Sequence, residues 1–222
     1  MKKLVVTATA LLVLAPMVGF AQNADPDKNV AGGVLVKGWT GRTDRANQSI
    51  SNAKFADMGG GFHVTSGPAA IYWNPANVAK GNYAVKATFA QTKAPTHAEA
   101  YGLFIGGANL SGADQNYLYC IVRGDGKYMV KHRSGNETHT MAEWTDNAAV
   151  KKQDATGKAT NELSLWASKD KIGCSVNGTE VWSMNRVDAV GPGKLTANGD
   201  IYGIRVNHNL DVHISNFAMS KM

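Results

Sequence analysis

Tyr117 to Arg133 reads YLYCIVRGDGKYMVKHR, two β-rich runs on either side of Gly124-Asp125-Gly126. Asp-Gly between such runs is a strong hairpin signal. A two-residue turn at Asp125-Gly126 pairs Cys120 with Lys131 and sets a charge beside core candidates. A three-residue turn over Gly124-Asp125-Gly126 instead pairs Val122 with Tyr128 and Cys120 with Val130. The second register is preferred, because side chains alternate along a strand. It collects Leu118, Cys120, Val122, Tyr128 and Val130 on one face. Tyr117, Tyr119, Ile121, Met129, Lys131 and Arg133 then share the other. The first face reads as core and the second as a wide aromatic and basic surface.

Working outward, the same alternation recurs. Phe62-His63-Val64 opens a strand after the Gly59-Gly60-Gly61 turn, and Ser66-Gly67-Pro68 breaks it. Ile71-Tyr72-Trp73 returns as a short strand that ends at Asn74-Pro75. Tyr83, Val85, Ala87 and Phe89 alternate with Ala84, Lys86, Thr88 and Ala90 in a half-buried strand. Tyr101 to Ile105 is apolar on both faces, which predicts a central strand covered on each side. Leu163 to Ala167 and Ile172 to Val176 form a pair about Lys169-Asp170-Lys171. Asn177-Gly178 favours a type I′ turn that sets Cys174 opposite Val181. Ile201 to Val206 and Val212 to Met219 read as a last hairpin about Asn207-His208-Asn209. Thr40 to Lys54 reads as a long loop or irregular edge, and Met141 to Thr160 as a long polar excursion with room for one short strand. A dozen or so short strands with Gly, Asn and Asp turns predict one all-β sandwich.

The ends and the composition bound the context. Lys2 and Lys3, an apolar run from Leu4 to Val18, and Gly19-Phe20-Ala21 describe a secretory signal peptide cleaved after Ala21. Residues 22–33 then form a polar, flexible leader, and 34–222 the sandwich. Cleavage removes two of 23 basic residues and leaves 21 against 17 acidic ones, a net charge of +4. That balance suits a soluble secreted or periplasmic protein with some affinity for anionic glycans. It argues against nucleic acid and against a membrane role after cleavage. Cys120 and Cys174 sit at inward positions, and two readings stay open: a disulfide in an oxidising compartment, or two buried thiols.

Three sets of motifs resemble the concanavalin A-like lectin/glucanase superfamily, of the laminin-G or 3-keto-disaccharide hydrolase type. The first is Ala70-Ile71-Tyr72-Trp73 followed by Gly81-Asn82-Tyr83-Ala84-Val85. The second runs from Asn161-Glu162-Leu163-Ser164-Leu165 to Val176-Asn177-Gly178-Thr179-Glu180-Val181. The third is Gly203-Ile204-Arg205 with Val212-His213-Ile214-Ser215-Asn216-Phe217. The resemblance implies a jelly roll of one convex and one concave sheet, with ligands on the concave face or the loops above it. It also implies calcium in loops at one rim, where Asn109, Asp114 and Asn116, or Asp146 with Asn147, supply oxygens of the right type. Glucan-cleaving members carry alternating carboxylates on one strand. Here Glu99, Glu137, Glu143, Glu162 and Glu180 are each isolated, so no catalytic residue is carried over.

The expected function is carbohydrate binding. Aromatic rings stack on the apolar faces of sugar rings, and Lys and Arg donate to hydroxyls or carboxylates. Tyr117, Tyr119, Lys131 and Arg133 are the first candidates, with Trp166 and Trp182 opposite the inward residues of their strands. His97 and Glu99, two apart at a strand start, offer acid–base or ligand-binding groups. A glycan-processing hydrolase of the 3-keto-disaccharide type is the alternative, and a structural or adhesion module binding protein the second. Arg123-Gly124-Asp125 spells an adhesion tripeptide, but the hairpin turn alone accounts for it.

Overall fold

The structure is a computed structural model that describes residues 25–196 and 199–222. The expected signal peptide lies outside the described residues. In chain order the strands are β1 (Gly33–Val34), β2 (Thr40–Thr43), β3 (Lys54–Met58), β4 (Gly61–Thr65), β5 (Ala70–Val78), β6 (Tyr83–Gln91), β7 (Ala100–Ala108) and β8 (Asn116–Arg123). Then come β9 (Lys127–Ser134), β10 (Glu137–Asp146), β11 (Ala159–Ala167), β12 (Lys171–Val176), β13 (Thr179–Asn185), β14 (Ile201–Val206) and β15 (Asp211–Lys221). The only helical pieces among the described residues are a 3₁₀ turn, Ile50–Asn52, and one turn of α-helix, Arg186–Ala189.

The strands form two sheets, ordered β1-β3-β4-β15-β6-β11-β12-β13 and β10-β9-β8-β7-β14-β5-β2. Every pairing but the parallel β1–β3 contact is antiparallel. The inward residues of both sheets make one core, with Phe55, Phe89, Tyr101, Leu103, Leu118, Leu163, Leu165 and Ile204 fully buried. Cys120 of β8 and Cys174 of β12 are disulfide-bonded across that core, their Cα atoms 6.4 Å apart. The central hairpin takes the three-residue turn: Val122 faces Tyr128 and Cys120 faces Val130. Gly126 supplies the left-handed residue this turn requires, at φ 91°.

Several expectations need correction. The segment after Val206 is not a hairpin: β14 belongs to the seven-stranded sheet and β15 to the eight-stranded one. Both strands alternate correctly, but Asn207 to Leu210 carry the chain from one sheet to the other, so the two pack across the core instead of pairing. The short strand for which the excursion after Met141 left room is Met141 to Asp146, and it starts earlier, at Glu137, as edge strand β10, whose mostly exposed residues read as polar because one edge faces water. Within Thr40 to Lys54, β2 is regular. Strand β5 runs through Asn74-Pro75, because the register against β14 slips between Trp73 and Val78, where a missing proline N–H costs no ladder bond. Cys174 faces Trp182, not Val181, owing to a bulge between Cys174 and Ser175. In the leader, Lys28 N–H donates to Asn209 Oδ1 at 2.8 Å and Val30 N–H to the Asn52 carbonyl, so this part is docked on the sandwich.

One polar node inside the core is complete. Asn161 is fully buried; its Oδ1 accepts from Lys151 N–H and Asn177 Nδ2, and its Nδ2 donates to the Lys151 carbonyl and the Tyr101 hydroxyl. All four of its hydrogen-bonding capacities are used, which ties the 147–158 loop to the core without an unpaired group.

Candidate functional site

The outer face of the seven-stranded sheet carries two side-chain rows at right angles to its strands. Lys131, Tyr119, Phe104, Gly203, Trp73 and Thr40 are successive cross-strand partners. Beside them run Met129, Ile121, Gly102, Arg205, Ile71 and Arg42. The first row is an aromatic band; glycine at 203 is required because a Cβ there would press to 2.6 Å from the Phe104 ring. The second carries a guanidinium at its centre and another at its end. Tyr117 extends the band, its ring 5.2 Å from Phe104 and 5.6 Å from Tyr119.

Arg205 organises this face. Its guanidinium lies 4.4 Å over the Tyr119 ring, and its two terminal nitrogens donate to Asp44 Oδ1 at 2.8 Å and Oδ2 at 2.6 Å. Burial pushes the Asp44 carboxyl up, but Arg205, then Arg133 and Arg45, outweigh it and hold the group below the usual carboxylate range. Burial raises the Tyr117 and Tyr119 hydroxyls, so both stay protonated at neutral pH.

The face is a trough, partly roofed. Arg133 on β9 donates to the Asp44 carbonyl at 2.7 Å, although β9 and β2 are five strand spacings apart, roughly 24 Å in a flat sheet. Asp44 itself stays paired with Ala69 beside β5, so the sheet must curl until its two sides approach over the outer face. On the same side Arg42 Nη1 donates to the carbonyls of Leu110 and Gly112, which draws the 109–112 segment inward. An open hollow of about 430 Å³ remains beside Trp73, Leu110, Asp114 and Ile201.

This roof corrects the expected exposure. Tyr117 is 1% exposed, Tyr119 4% and Arg133 8%. They share the predicted face, but as the floor of a second apolar cluster rather than a solvated surface. The groups left at its margin are Lys131, Arg42, and Arg123 stacked 4.2 Å over Trp144. Arg123 also clasps Asp125 through Nε, at 2.8 and 2.9 Å, so the adhesion-like tripeptide is closed on itself.

The two other candidate tryptophans lie elsewhere. Trp166 is on the outer face of the eight-stranded sheet, flat over Gly173, with Nε1 3.4 Å from Ser175 Oγ. Trp182 packs against the central core from edge strand β13. Of the expected calcium donors, Asn109 Nδ2 donates to Asp114 Oδ2 at 2.7 Å, while Asn116 is buried and bonded to Lys194, Thr196 and His132. They do not converge on one point. Phe104, Trp73, Arg205 and Asp44 were missed. A charge in the middle of the apolar strand Ile201 to Val206 was the available signal for Arg205.

His97 and Glu99 lie at the rim, where the structure adds partners from far along the chain. Glu99 Oε1 is 2.7 Å from both His97 Nε2 and His208 Nε2, and the two Nε2 atoms are 3.3 Å apart. Asp25 Oδ2 lies 3.0 Å from His97 Nδ1 and Asp27 Oδ1 3.0 Å from His208 Nδ1. Asn207 Nδ2 donates to Glu99 Oε2 at 3.0 Å.

No protein-family profile matches the sequence, and no curated protein matches it either. Solved structures do. The carbohydrate-binding module CBM66 from Bacillus subtilis is 12% identical over 86% of this chain and 99% of its own, with a TM-score of 0.57. A protein of unknown function with a galectin-like fold, also from Bacillus subtilis, is 15% identical over 84% and 90%, at 0.56. Alginate lyase A1-II′ is 12% identical over 76% and 83%, at 0.52. At such identities the likeness concerns the fold, and it agrees with the strand order and the two-sheet core: the chain is a concanavalin A-like antiparallel jelly roll.

Proposed function

We infer that this chain is an exported carbohydrate-binding β-sandwich that takes a sugar chain along the outer face of its seven-stranded sheet. The observation that carries this reading is that Trp144, Lys131 and Arg42 stay partly exposed at the margin of a rigid, buried aromatic floor made by Tyr119, Phe104 and Trp73. A tryptophan ring offers stacking surface, and cationic groups offer donors for sugar hydroxyls or carboxylates. Trp144, Lys131 and Arg42 at the margin meet the ligand, and Tyr117, Tyr119 and Arg205 hold the floor. That the similar structures include a carbohydrate-binding module and an alginate lyase supports a glycan partner. The disulfide supports export, since such bonds persist in oxidising compartments.

A glycan array tests the assignment. Binding to a defined oligosaccharide is expected to weaken at least about tenfold in Trp144→Ala, as for an anchor residue worth more than ~1.4 kcal/mol. Trp166→Ala, on the opposite outer face, leaves it unchanged. Absence of any glycan ligand sinks the reading, and equal loss in both variants moves the site off this sheet.

A further inference from the structure

The rim cluster of His97, Glu99 and His208 plays no part in the sugar face, and its geometry is unlike that of the completed Asn161 node. Each imidazole has a carboxylate oxygen beside Nδ1, Asp25 for His97 and Asp27 for His208, both at 3.0 Å. His208 Nδ1 is hydrogen-bonded to Asp27 Oδ1, whereas Asp25 Oδ2 is buried beside His97 Nδ1 without a completed hydrogen bond. An acceptor beside Nδ1 fixes the tautomer with its hydrogen there and leaves the lone pair on Nε2. The two Nε2 atoms then face each other at 3.3 Å, with the carboxylate oxygen of Glu99 at 2.7 Å from both. Two imidazole nitrogens and a carboxylate oxygen converge there, and Asp25, His97 and His208 offer ligand atoms that all lie within 4.8 Å of one another.

A cation between the two Nε2 atoms fits this arrangement. Two nitrogens bound at about 2.0–2.1 Å in tetrahedral geometry are separated by about 3.3 Å, the separation found here. The carboxylates behind the rings repeat the pattern in which a ligating histidine is oriented by an acid on its other nitrogen. Asn207 holds Glu99 in the same way through Nδ2, while its own Oδ1 is buried without a partner.

We propose that His97, His208 and Glu99 form a binding site for a divalent transition metal of the zinc class, with Asp25 and Asp27 orienting the two imidazoles. Two nitrogen ligands select such an ion over calcium, which takes oxygen. His97 is about half exposed at its side chain, so a further coordination position opens to water. The ligands come from the segment before β7 and from the β14–β15 crossover, and the orienting acids from the N-terminal segment. The ion therefore links three stretches that the sequence keeps far apart.

Titration of chelator-treated, tag-free protein with zinc chloride by calorimetry at pH 7.5 tests the proposal. One zinc ion per chain is expected to bind. His97→Ala and His208→Ala each weaken it at least about a hundredfold, and Asp25→Asn about ten- to a hundredfold, as for an orienting partner. His139→Ala, on edge strand β10, leaves affinity unchanged. Cobalt(II) should give a visible absorption spectrum of low coordination number that is lost in Glu99→Gln, a variant that keeps the side-chain shape. Wild-type protein that takes up no zinc overturns the proposal. So does undiminished binding in a folded His97→Ala/His208→Ala double variant, or displacement of zinc by millimolar calcium.

Discussion

The two sheets turn opposite kinds of surface away from the core. On the eight-stranded sheet the outward positions of β6 and its neighbours are Lys86, Thr88, Ser164, Trp166 and Ser175, a polar array with one ring laid over a glycine. On the seven-stranded sheet the outward positions are Phe104, Tyr117, Tyr119, Ile121 and Met129, with Arg205 among them, and they are buried as deeply as much of the core. The first is what an antiparallel sheet needs when one face meets water. The second costs more to build, since it takes an arginine out of solvent. It persists because Asp44, at the end of edge strand β2, completes the ion pair. A face that exceeds the needs of folding is the better place to look for function.

The largest effect should come from breaking that pair. Arg205→Ala removes the buried partner, leaves the partly exposed Asp44 carboxylate without its paired donors and empties the space under Tyr119, and is expected to cost about 3–5 kcal/mol. Lys86→Ala on the opposite face stays within about 0.5 kcal/mol. Urea unfolding of both variants measures the contrast, and equal effects would abolish the distinction between the faces. Next, replacing Cys120 and Cys174 together by alanine releases a link between strands 54 residues apart, at about 2–4 kcal/mol. Because that bond joins β8 to β12, both sheets should loosen together in hydrogen exchange. Loosening confined to one sheet would mean the two faces are stabilised separately.

The smallest effect is one of pH. Burial, helped by the neighbouring His139 ring, pushes His132 down to about 4 from its ordinary 6.5. The folded protein therefore refuses a proton that the unfolded chain accepts. Stability owed to this group is whole above pH 6.5 and declines as pH falls from 6.5 towards 4. His132→Gln should flatten that part of the profile of melting temperature against pH. An unchanged slope would show that the acid sensitivity arises elsewhere.

Much of the seven-stranded sheet was legible locally. Gly124-Asp125-Gly126 and the alternation around it determine the register of β8 and β9, because a turn and a period of two act within a few residues. The inward set Leu118, Cys120, Val122, Tyr128 and Val130 follows directly. Edge strand β10 was only half legible, because Met141, Ala142 and Trp144 are its few apolar residues among mostly exposed polar ones and its register is broken by bulges. The bulge that moves Cys174 from Val181 to Trp182 is a one-residue irregularity with no compositional mark.

What the sequence alone determined is the kind of fold, the pairing of its central hairpin, and which face of each clear strand turns inward. Local turn chemistry and side-chain alternation suffice for these, since each involves neighbours in the chain. Only the tertiary structure decided that β14 and β15 part company and that Cys120 meets Cys174. It alone also brought Asp44 to Arg205 and His208 to His97. Those pairs lie 54 to 161 residues apart. Their meeting depends on how two sheets stack and how one of them curls, which no run of neighbouring residues encodes.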